Sequence, residues 1–168
     1  EKGQTLAIIG ATGSGKTTLI SLIPRFYDAT EGEVLVDGVN VKNYKFDTLY
    51  DKLGYVTQKA VLFAGSIREN VFFGESAAPE TDEELKNAIE LSQAEEFVNK
   101  LPDGTEHMIS QMGRNVSGGQ KQRLSIARAL SRKPEILVFD DSFSALDYKT
   151  DAKLREGLNE KLKDTTKI

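Results

Sequence analysis

The chain of 168 residues contains no cysteine, no tryptophan and a single histidine. Without cysteine it forms neither a disulfide framework nor a thiolate metal site. No apolar run approaches the roughly 18–20 residues needed to cross a bilayer, and no signal peptide is visible. The formal net charge of −4 and the lack of a basic tract argue against a broad nucleic-acid-binding surface. What remains is a chain of about one domain, long enough to bury a core.

The single histidine, His107, follows Thr105 and Glu106 in a predicted loop. Neither a partner nor a spacing supports catalysis, so we interpret His107 as a solvated loop residue. The two ends of the chain look abrupt, because Gln4 leads straight into an apolar run and 165–168 resembles the start of a strand. We therefore expect the chain to be a piece of a longer protein.

The stretch from Gly10 to Thr17 fits the phosphate-binding loop pattern G-x-x-x-x-G-K-[ST] without a mismatch. Before it, the apolar run Thr5–Ile9 predicts a buried strand; after it, Thr18–Ile23 has helical spacing, limited by Pro24. The alternative is a glycine-rich turn with a chance lysine, which these flanks disfavour. The predicted ATP-binding residues of this stretch are Gly10, Ala11, Thr12, Gly13, Ser14, Gly15, Lys16, Thr17 and Thr18.

The residue types of this loop suit a polyphosphate bound with Mg²⁺. Glycines let successive backbone N–H groups approach the phosphates, and the N-terminus of the following helix adds partial positive charge. Lys16 reaches the β- and γ-phosphates as a point charge. The hydroxyl of Thr17 suits Mg²⁺, which prefers oxygen ligands and keeps several waters.

A second apolar run, Ile136–Phe139, predicts a central parallel strand covered on both faces. It ends at Asp140, the position where phosphate-loop NTPases hold Mg²⁺. Apolar strands ending in aspartate are common, so this signal gains weight only from the intact phosphate loop. Asp141 is placed to orient or deprotonate the water that attacks the γ-phosphate. Gln58 follows another predicted strand, Tyr55–Thr57, at the sheet edge where ligands usually bind.

Between these two halves the pattern is mostly helical. The spacing predicts a helix over 46–53, stopped by Gly54, and a helix from a Ser66 cap to Phe73 with Glu69 as the capping-box partner. Two more helices are predicted, one capped by Thr81 or Asp82 and one over 94–101. No clear strand is predicted between 65 and 101. A strand over 32–38 ends in an Asp-Gly turn, and a last helix begins at Asp147 or Thr150. The sequence thus predicts an α/β core, 1–58 and 134–168, with a helical region at 59–133.

Four residues open the long helix that follows 116: Ser117, Gly118, Gly119 and Gln120. A serine and two glycines at a helix N-terminus can form a second anion-binding site. One nucleotide already has a phosphate loop, so a second site about a hundred residues away suggests that two chains share each nucleotide. The alternative is a plain serine N-cap.

Taken together, these motifs resemble the nucleotide-binding domain of an ABC transporter, and the resemblance covers essentially the whole chain. It rests on Gly10–Thr17, the Q-loop Tyr55–Gln58, the signature Val116–Gln120, Ile136–Asp140 and the D-loop Ser144–Asp147. Within that class, Leu62–Val71 resembles the segment of exporter-type domains that faces the membrane domains.

The resemblance implies an α/β P-loop NTPase (RecA-like) core with a parallel sheet and an inserted α-helical subdomain. It implies that Lys16 and the loop hold the phosphates and that Thr17, Gln58 and Asp140 hold Mg²⁺. Residues 117–120 would contact the γ-phosphate bound to an opposing domain, with Asp147 at that interface. The implied partners are a second nucleotide-binding domain and transmembrane domains, at the cytoplasmic face of a membrane, with no nucleic acid.

This chain departs from the family at Asp141, where the family carries a glutamate. The carboxylate retreats by roughly 1.5 Å, and a misplacement of about 1 Å can cost on the order of a hundredfold in rate. The family pattern then suggests the weak site of a heterodimer, with the intact Ser117–Gln120 completing the competent site of the partner. The alternative is that aspartate works through a small backbone shift or a bridging water.

Three functions remain open at this point. The chain is the ATP-hydrolysing domain of a membrane exporter, or a non-hydrolysing half that binds ATP as a regulatory clamp. The third is a soluble ABC ATPase of DNA repair or translation. The exporter-like Leu62–Val71 and the absence of a basic tract argue against the third.

Overall fold

The computed structural model describes residues 1–168, which form seven α-helices and seven short strands. The helices are α1 Lys16–Ile20, α2 Phe46–Asp51, α3 Ile67–Val71, α4 Asp82–Leu91, α5 Glu95–Val98, α6 Gly118–Ser131 and α7 Tyr148–Lys161. The strands are β1 Leu35–Val36, β2 Val39–Asn40, β3 Leu53–Val56, β4 Gly65–Ser66, β5 Met108–Ile109, β6 Ile136–Phe139 and β7 Thr166–Lys167. None of the helices combines the length and the apolarity that a membrane crossing requires.

The central sheet is parallel and has the strand order β3-β6-β7. Its register pairs Leu53 with Ile136 and Val56 with Phe139, so β3 and β6 end side by side. Leu137 and Val138 have no exposed surface, as expected of a parallel strand with both faces covered. The residues that follow β3 and those that follow β6 therefore lie at the same edge of the sheet, where the two strands end.

The predicted strand Thr5–Ile9 is wrong in the structure, which forms only a parallel bridge between Thr5 and Lys167. The amide of Lys167 donates to Gln4, and the amide of Leu6 donates to Lys167. No further backbone hydrogen bond joins this run to β7, and Ile9 is 94% exposed. An apolar run becomes a strand only where a neighbouring backbone completes its hydrogen bonds.

The predicted helix over 46–53 ends two residues early, and Gly54 lies inside β3 instead of stopping the helix. A β-carbon at Gly54 would lie 2.8 Å from Leu137 Cδ2 and 3.0 Å from the carbonyl oxygen of Ala129. Gly54 therefore allows β3 to approach α6 and β6 closely. Gly54 was interpreted as the end of a helix, but glycine is required at this position because neighbouring residues leave no room for a side chain.

The expectation of no strand between 65 and 101 is also wrong, because β4 pairs antiparallel with β5. Gly65 has a φ of 146°, which side chains rarely adopt, and a two-residue strand leaves almost no periodic pattern to read. The Asp37–Gly38 turn, by contrast, does join β1 to β2.

Helix caps agree closely with the sequence pattern. Ser66 and Glu69 form a complete capping box at α3, and Thr81 caps α4 by accepting from the amide of Glu84. Asp147, and not Thr150, caps α7. Each cap satisfies backbone N–H groups that the first helical turn leaves unpaired.

One hydrophobic core of 20 buried residues joins the sheet to the helices of the middle region. It includes Val56 and Leu137 from the sheet, Ile126 from α6, and Leu154 and Leu158 from α7. A smaller cluster of Val36, Val41, Leu49 and Leu53 lies beneath the β1–β2 hairpin. Helix α6 lies at the centre, in contact with α3, α4 and β3.

Candidate nucleotide site

The phosphate loop turns through two glycines in left-handed backbone conformations. Gly13 has a φ of 79° and Gly15 a φ of 86°, angles that favour glycine over other residues. Gly15 caps α1 without any side-chain hydrogen bond, so the first amides of α1 have no partner from a capping side chain. A β-carbon at Gly10 would lie 2.5 Å from the Ser14 hydroxyl, so the loop also depends on glycine there for space.

The side chain of Lys16 folds back over this loop. Its ammonium donates to the carbonyl oxygens of Gly10 at 2.6 Å and Ala11 at 2.9 Å. Both bonds hold the charge at the mouth of the loop, where a phosphate group would meet it. An ammonium with three donors can keep one carbonyl while it turns to an anion.

Thr17 and Asp140 meet at the end of the loop, although 123 residues separate them. The hydroxyl of Thr17 donates to Oδ1 of Asp140 across 2.8 Å. No group of three or more acidic or histidine side chains that could hold a metal exists in the chain. One hydroxyl and one carboxylate fit Mg²⁺, which takes its other ligands from water and substrate phosphates.

Gln58 and Asp141 form the second pair, because both follow adjacent strand ends. The side-chain amide of Gln58 donates to Oδ2 of Asp141 across 3.0 Å. Asp141 has a φ of 49°, a left-handed conformation that aspartate and asparagine adopt more readily than other side chains. The Asp141 carboxylate is thus held by a neighbour that is itself a candidate ligand.

A cleft of about 940 Å³ brings most of the predicted residues together. Its lining includes Gly10, Thr12, Gly13, Ser14, Gly15, Lys16, Thr17, Thr18, Gln58, Asp140 and Asp141. Ala11, residues 117–120 and Asp147 do not line it. Apart from Ala11, which lies within the phosphate loop, the predicted site residues therefore divide into a cleft group and a second group, residues 117–120 with Asp147, outside the cleft.

The second group is built at two helix N-termini. Ser117 accepts from the amide of Gln120, and the Gln120 side chain accepts from the amide of Ser117 at 2.8 Å. A β-carbon at Gly119 would lie 3.2 Å from the carbonyl oxygen of Ala145, so the start of α6 lies against the segment before α7. Ser117 is an N-cap, as the plainer interpretation expects, and its hydroxyl accepts from the amide of Gln120. The amides of Gly118 and Gly119 make no backbone hydrogen bond.

Asp147 holds the start of α7. It accepts from both the hydroxyl and the amide of Thr150, at 2.6 and 3.0 Å. The side-chain hydrogen bond from Thr150 lowers the pKa of the Asp147 carboxyl below its usual value, with a further contribution from the Thr150 amide.

Sequence reasoning missed part of the cleft wall, which α7 supplies. Arg155 and Asn159 line the cleft, and the Arg155 guanidinium lies 4.3 Å from the centroid of the Phe143 ring. Arg155 also forms an ion pair with Asp151 at 2.6 Å. The spacing of four residues between Arg155 and Asn159 places them on one helical face, a signal too general to indicate a nucleotide site.

Comparisons with known proteins agree with this geometry. The family model described as "ABC transporter" matches residues 1–144. A "Putative multidrug export ATP-binding/permease protein" of Staphylococcus aureus is 43% identical over 168 residues, covering 100% of this chain and 29% of that protein. "ABC transporter B family member 21" of Arabidopsis thaliana is 43% identical over 166 residues, covering 99% of this chain and 13% of that protein.

The fold also matches a solved structure, that of "a bacterial Atm1-family ABC exporter with ATP bound". The TM-score is 0.91 at 36% sequence identity, covering 99% of this chain and 29% of that one. The predicted fold class, a P-loop core with a parallel sheet and inserted helices, is confirmed. The chain spans less than a third of the length of each of these proteins. By its family match and its fold, the chain belongs to the ABC transporter family, as a nucleotide-binding domain of the exporter type.

Proposed function

We propose that this chain binds ATP with Mg²⁺ in the cleft around Gly10–Thr17 and, with a second nucleotide-binding domain, couples ATP binding and hydrolysis to export across a membrane. One observation carries the proposal: two side-chain pairs, Thr17–Asp140 and Gln58–Asp141, meet at the end of the phosphate loop. The exporters named among the relatives support the transport role.

The cleft residues divide the work of nucleotide binding. The loop amides and Lys16 bind the phosphates, and Thr17, Asp140 and Gln58 hold the cation. Bound there, Mg²⁺ neutralises charge that develops on the phosphate oxygens. Asp141 orients the attacking water through its carboxylate, at a position that Gln58 fixes.

The second group of residues supports an arrangement of two domains. Residues 117–120 and Asp147 lie outside the cleft that holds the phosphate loop, so they are free to face the nucleotide of an opposing domain. We place this assembly at the cytoplasmic face of a membrane, attached to transmembrane domains. We also retain the division into a core, 1–58 and 134–168, and a helical subdomain, 59–133.

We further propose that the chain's own cleft hydrolyses ATP slowly. The shorter side chain of Asp141 keeps its carboxylate near the backbone, and the hydrogen bond from Gln58 occupies one of its two oxygens. A competent site would then form where the Ser117–Gln120 end meets the nucleotide of a partner with a complete set of catalytic residues.

Single-turnover hydrolysis in the full-length assembled protein tests this, with the partner's site disabled by substitution of its phosphate-loop lysine. We expect ATP binding to this chain with slow release of γ-phosphate, and faster release in Asp141→Glu. Lys16→Ala should abolish binding at this site, and Asp141→Asn should bind without hydrolysis. Rapid turnover in the unchanged chain, or no gain in Asp141→Glu, would refute the slow site.

A second candidate is a non-hydrolysing half that uses ATP only to close the assembly. The short Asp141 side chain favours this candidate. Binding and hydrolysis are separate steps, so ATP binding alone can shift the population of assemblies toward the closed state. Any measurable γ-phosphate release at this site, above that of Asp141→Asn, rejects this candidate. Zero release together with ATP-dependent association supports it.

A further inference from the structure

Arg128, on the second half of α6, is a partly buried cation without a carboxylate partner. Burial alone lowers its pKa to about 10, and the cleft geometry does not use it. Its guanidinium nitrogens all donate: Nε to the carbonyl of Asn70 at 2.7 Å, Nη1 to the carbonyl of Val61 at 3.0 Å and Nη2 to Oδ1 of Asn70 at 3.1 Å. Burying part of a charged side chain costs desolvation free energy. A leucine at this position could fill the same space without that cost, so packing alone does not account for an arginine here.

All of these acceptors belong to one stretch, residues 61–73, here called the aromatic segment. Asn70, 1% exposed, links the start of this segment to α3 by accepting from the amide of Phe63 and donating to the carbonyls of Phe63 and Ser66. Arg128 therefore contacts the residue that organises the segment. Because its donors lie in a fixed planar fork, arginine reaches Val61 and Asn70 through three separate nitrogens, a geometry that the single nitrogen of a lysine ammonium does not reproduce.

Two stacked rings cover the guanidinium. Phe63 and Phe73 lie with centroids 4.0 Å apart and planes at 18°, and the Arg128 guanidinium carbon lies 5.5 and 5.4 Å from them. The rings are 42% and 48% exposed. The cation thus sets the position of an exposed aromatic surface through both hydrogen bonds and cation–π contacts.

Helix α6 connects Arg128 to the Ser117 cap at its N-terminus. Arg128 is eleven residues past the Ser117 cap, about 16 Å along one continuous helix. Ser131, one turn on, donates to the carbonyl of Val71 at 2.9 Å, and Gln122 donates to the carbonyl of Thr57, next to Gln58, at 3.3 Å. Three side chains of α6 therefore hold the backbone between 57 and 71.

We propose that Arg128 is a positioning residue that fixes the aromatic segment to α6, so that a shift of the Ser117 end on nucleotide binding moves Phe63 and Phe73 with it. The first part stands on the contacts alone, and the second rests on the proposed function. Arg123 provides a matched control on the same helix: it donates to the carbonyl of Gln93 at 2.8 Å and lies 4.9 Å from the centroid of the Phe97 ring, away from the aromatic segment.

Hydrogen exchange of the full-length protein, free of nucleotide, tests the first part. In Arg128→Lys we expect amides over 61–73 to exchange about tenfold faster or more, as follows from losing charge-assisted hydrogen bonds. Arg123→Lys should leave this stretch unchanged and affect residues near Gln93. Equal exchange over 61–73 in Arg128→Lys and wild type, or an equal rise in Arg123→Lys, would overturn the assignment.

The second part is tested by adding Mg-ATP. In wild type we expect exchange over 61–73 to change on binding, and in Arg128→Lys we expect ATP affinity to stay within about twofold while that change disappears. A change that persists in Arg128→Lys overturns the transmission role. Wild type that binds no ATP refutes the proposed function instead, and the nucleotide-free comparison still decides the first part. If Arg128→Lys fails to fold, Phe73→Leu removes one of the two rings beside the guanidinium and leaves its hydrogen bonds in place. We then expect a smaller rise in exchange over 61–66, and no rise would overturn the role of the ring contacts in fixing the segment.

Discussion

Gln58 donates a hydrogen bond to Asp141 across 3.0 Å, although 83 residues separate the two. The contact exists because Gln58 lies just beyond β3 and Asp141 just beyond β6, and the two strands are paired in parallel. Thr17, in α1, also contacts a residue just beyond β6, by donating to Asp140. The contact between Gln58 and Asp141 is therefore a product of strand order, and four predictions test how the site and its supports are built.

Replacing Asp141 with glutamate should lower the free energy of unfolding by about 0.5–1 kcal/mol. The residue has a φ of 49°, and a left-handed backbone conformation is costlier for glutamate than for aspartate or asparagine. Denaturant unfolding measures the change. Asp141→Asn should stay within about 0.5 kcal/mol of wild type, because the amide oxygen still accepts from Gln58.

Asp47→Glu is the control, since Asp47 lies in the first turn of α2 with no positive φ. It should leave unfolding unchanged. If Asp141→Glu is as stable as wild type, then the backbone relaxes at this position, and the left-handed conformation would not be what favours the shorter residue.

Removing the Thr17 hydroxyl should weaken ATP binding only when Mg²⁺ is present. Thr17→Val keeps the shape but loses the oxygen that contacts Asp140, and losses at ligand or supporting positions of a metal site run to about 10–100-fold. Titration of ATP with Mg²⁺ and with a chelator measures the difference. Thr17→Ser retains the hydroxyl and should bind nearly as wild type does. Equal losses with and without Mg²⁺ would contradict the assignment.

A methyl group at Gly54 should destabilise the fold strongly. Its β-carbon would lie 2.8 Å from Leu137 Cδ2 and 2.9 Å from Pro134 Cγ, and overpacking of this kind costs about 1–3 kcal/mol. Thermal or denaturant unfolding of Gly54→Ala measures it. Gly118→Ala is the control, since nothing lies within 4 Å of its β-carbon and alanine favours the helix; its unfolding should not weaken. A neutral Gly54→Ala would show that β3 and α6 can separate.

The cap at α7 should make stability depend on pH through Asp147. Hydrogen bonds from Thr150 lower the pKa of this carboxyl, so the folded state binds its proton less readily than the unfolded state. Its contribution is therefore complete above the unfolded pKa of about 4 and is lost as pH falls through the lower folded value. Unfolding measured from pH 6 to pH 3 should show this loss.

Two variants isolate the Asp147 contribution. Thr150→Val removes the hydrogen bond from the Thr150 hydroxyl and should reduce the pH dependence, while Asp147→Asn keeps an acceptor for the cap and should remove the Asp147 part altogether. Asp103→Asn, at a short 3-10 turn without a side-chain cap, serves as the control. An unchanged slope in Asp147→Asn would assign the acid loss to other carboxylates.

The sequence alone determined the local chemistry of this protein. The pattern from Gly10 to Thr17, the apolar run ending at Asp140 and the capping box at Ser66 were all predicted, because each depends on residues within a few positions of one another. The fold class and the family also followed from these motifs, and both are confirmed. The roles of the site residues stay predictions.

Only the tertiary structure decided what depends on neighbours distant in the chain. Thr5–Ile9 has the composition of a strand, yet the structure pairs it with β7 only at Thr5 and Leu6. Gly54 looks like a helix stop, yet it lies in β3, where α6 and β6 approach closely. The contacts of Arg128 with Val61 and Asn70 leave no periodic trace in the sequence. Composition sets what a segment can become, while hydrogen-bond partners and available space, which packing supplies, set what it is.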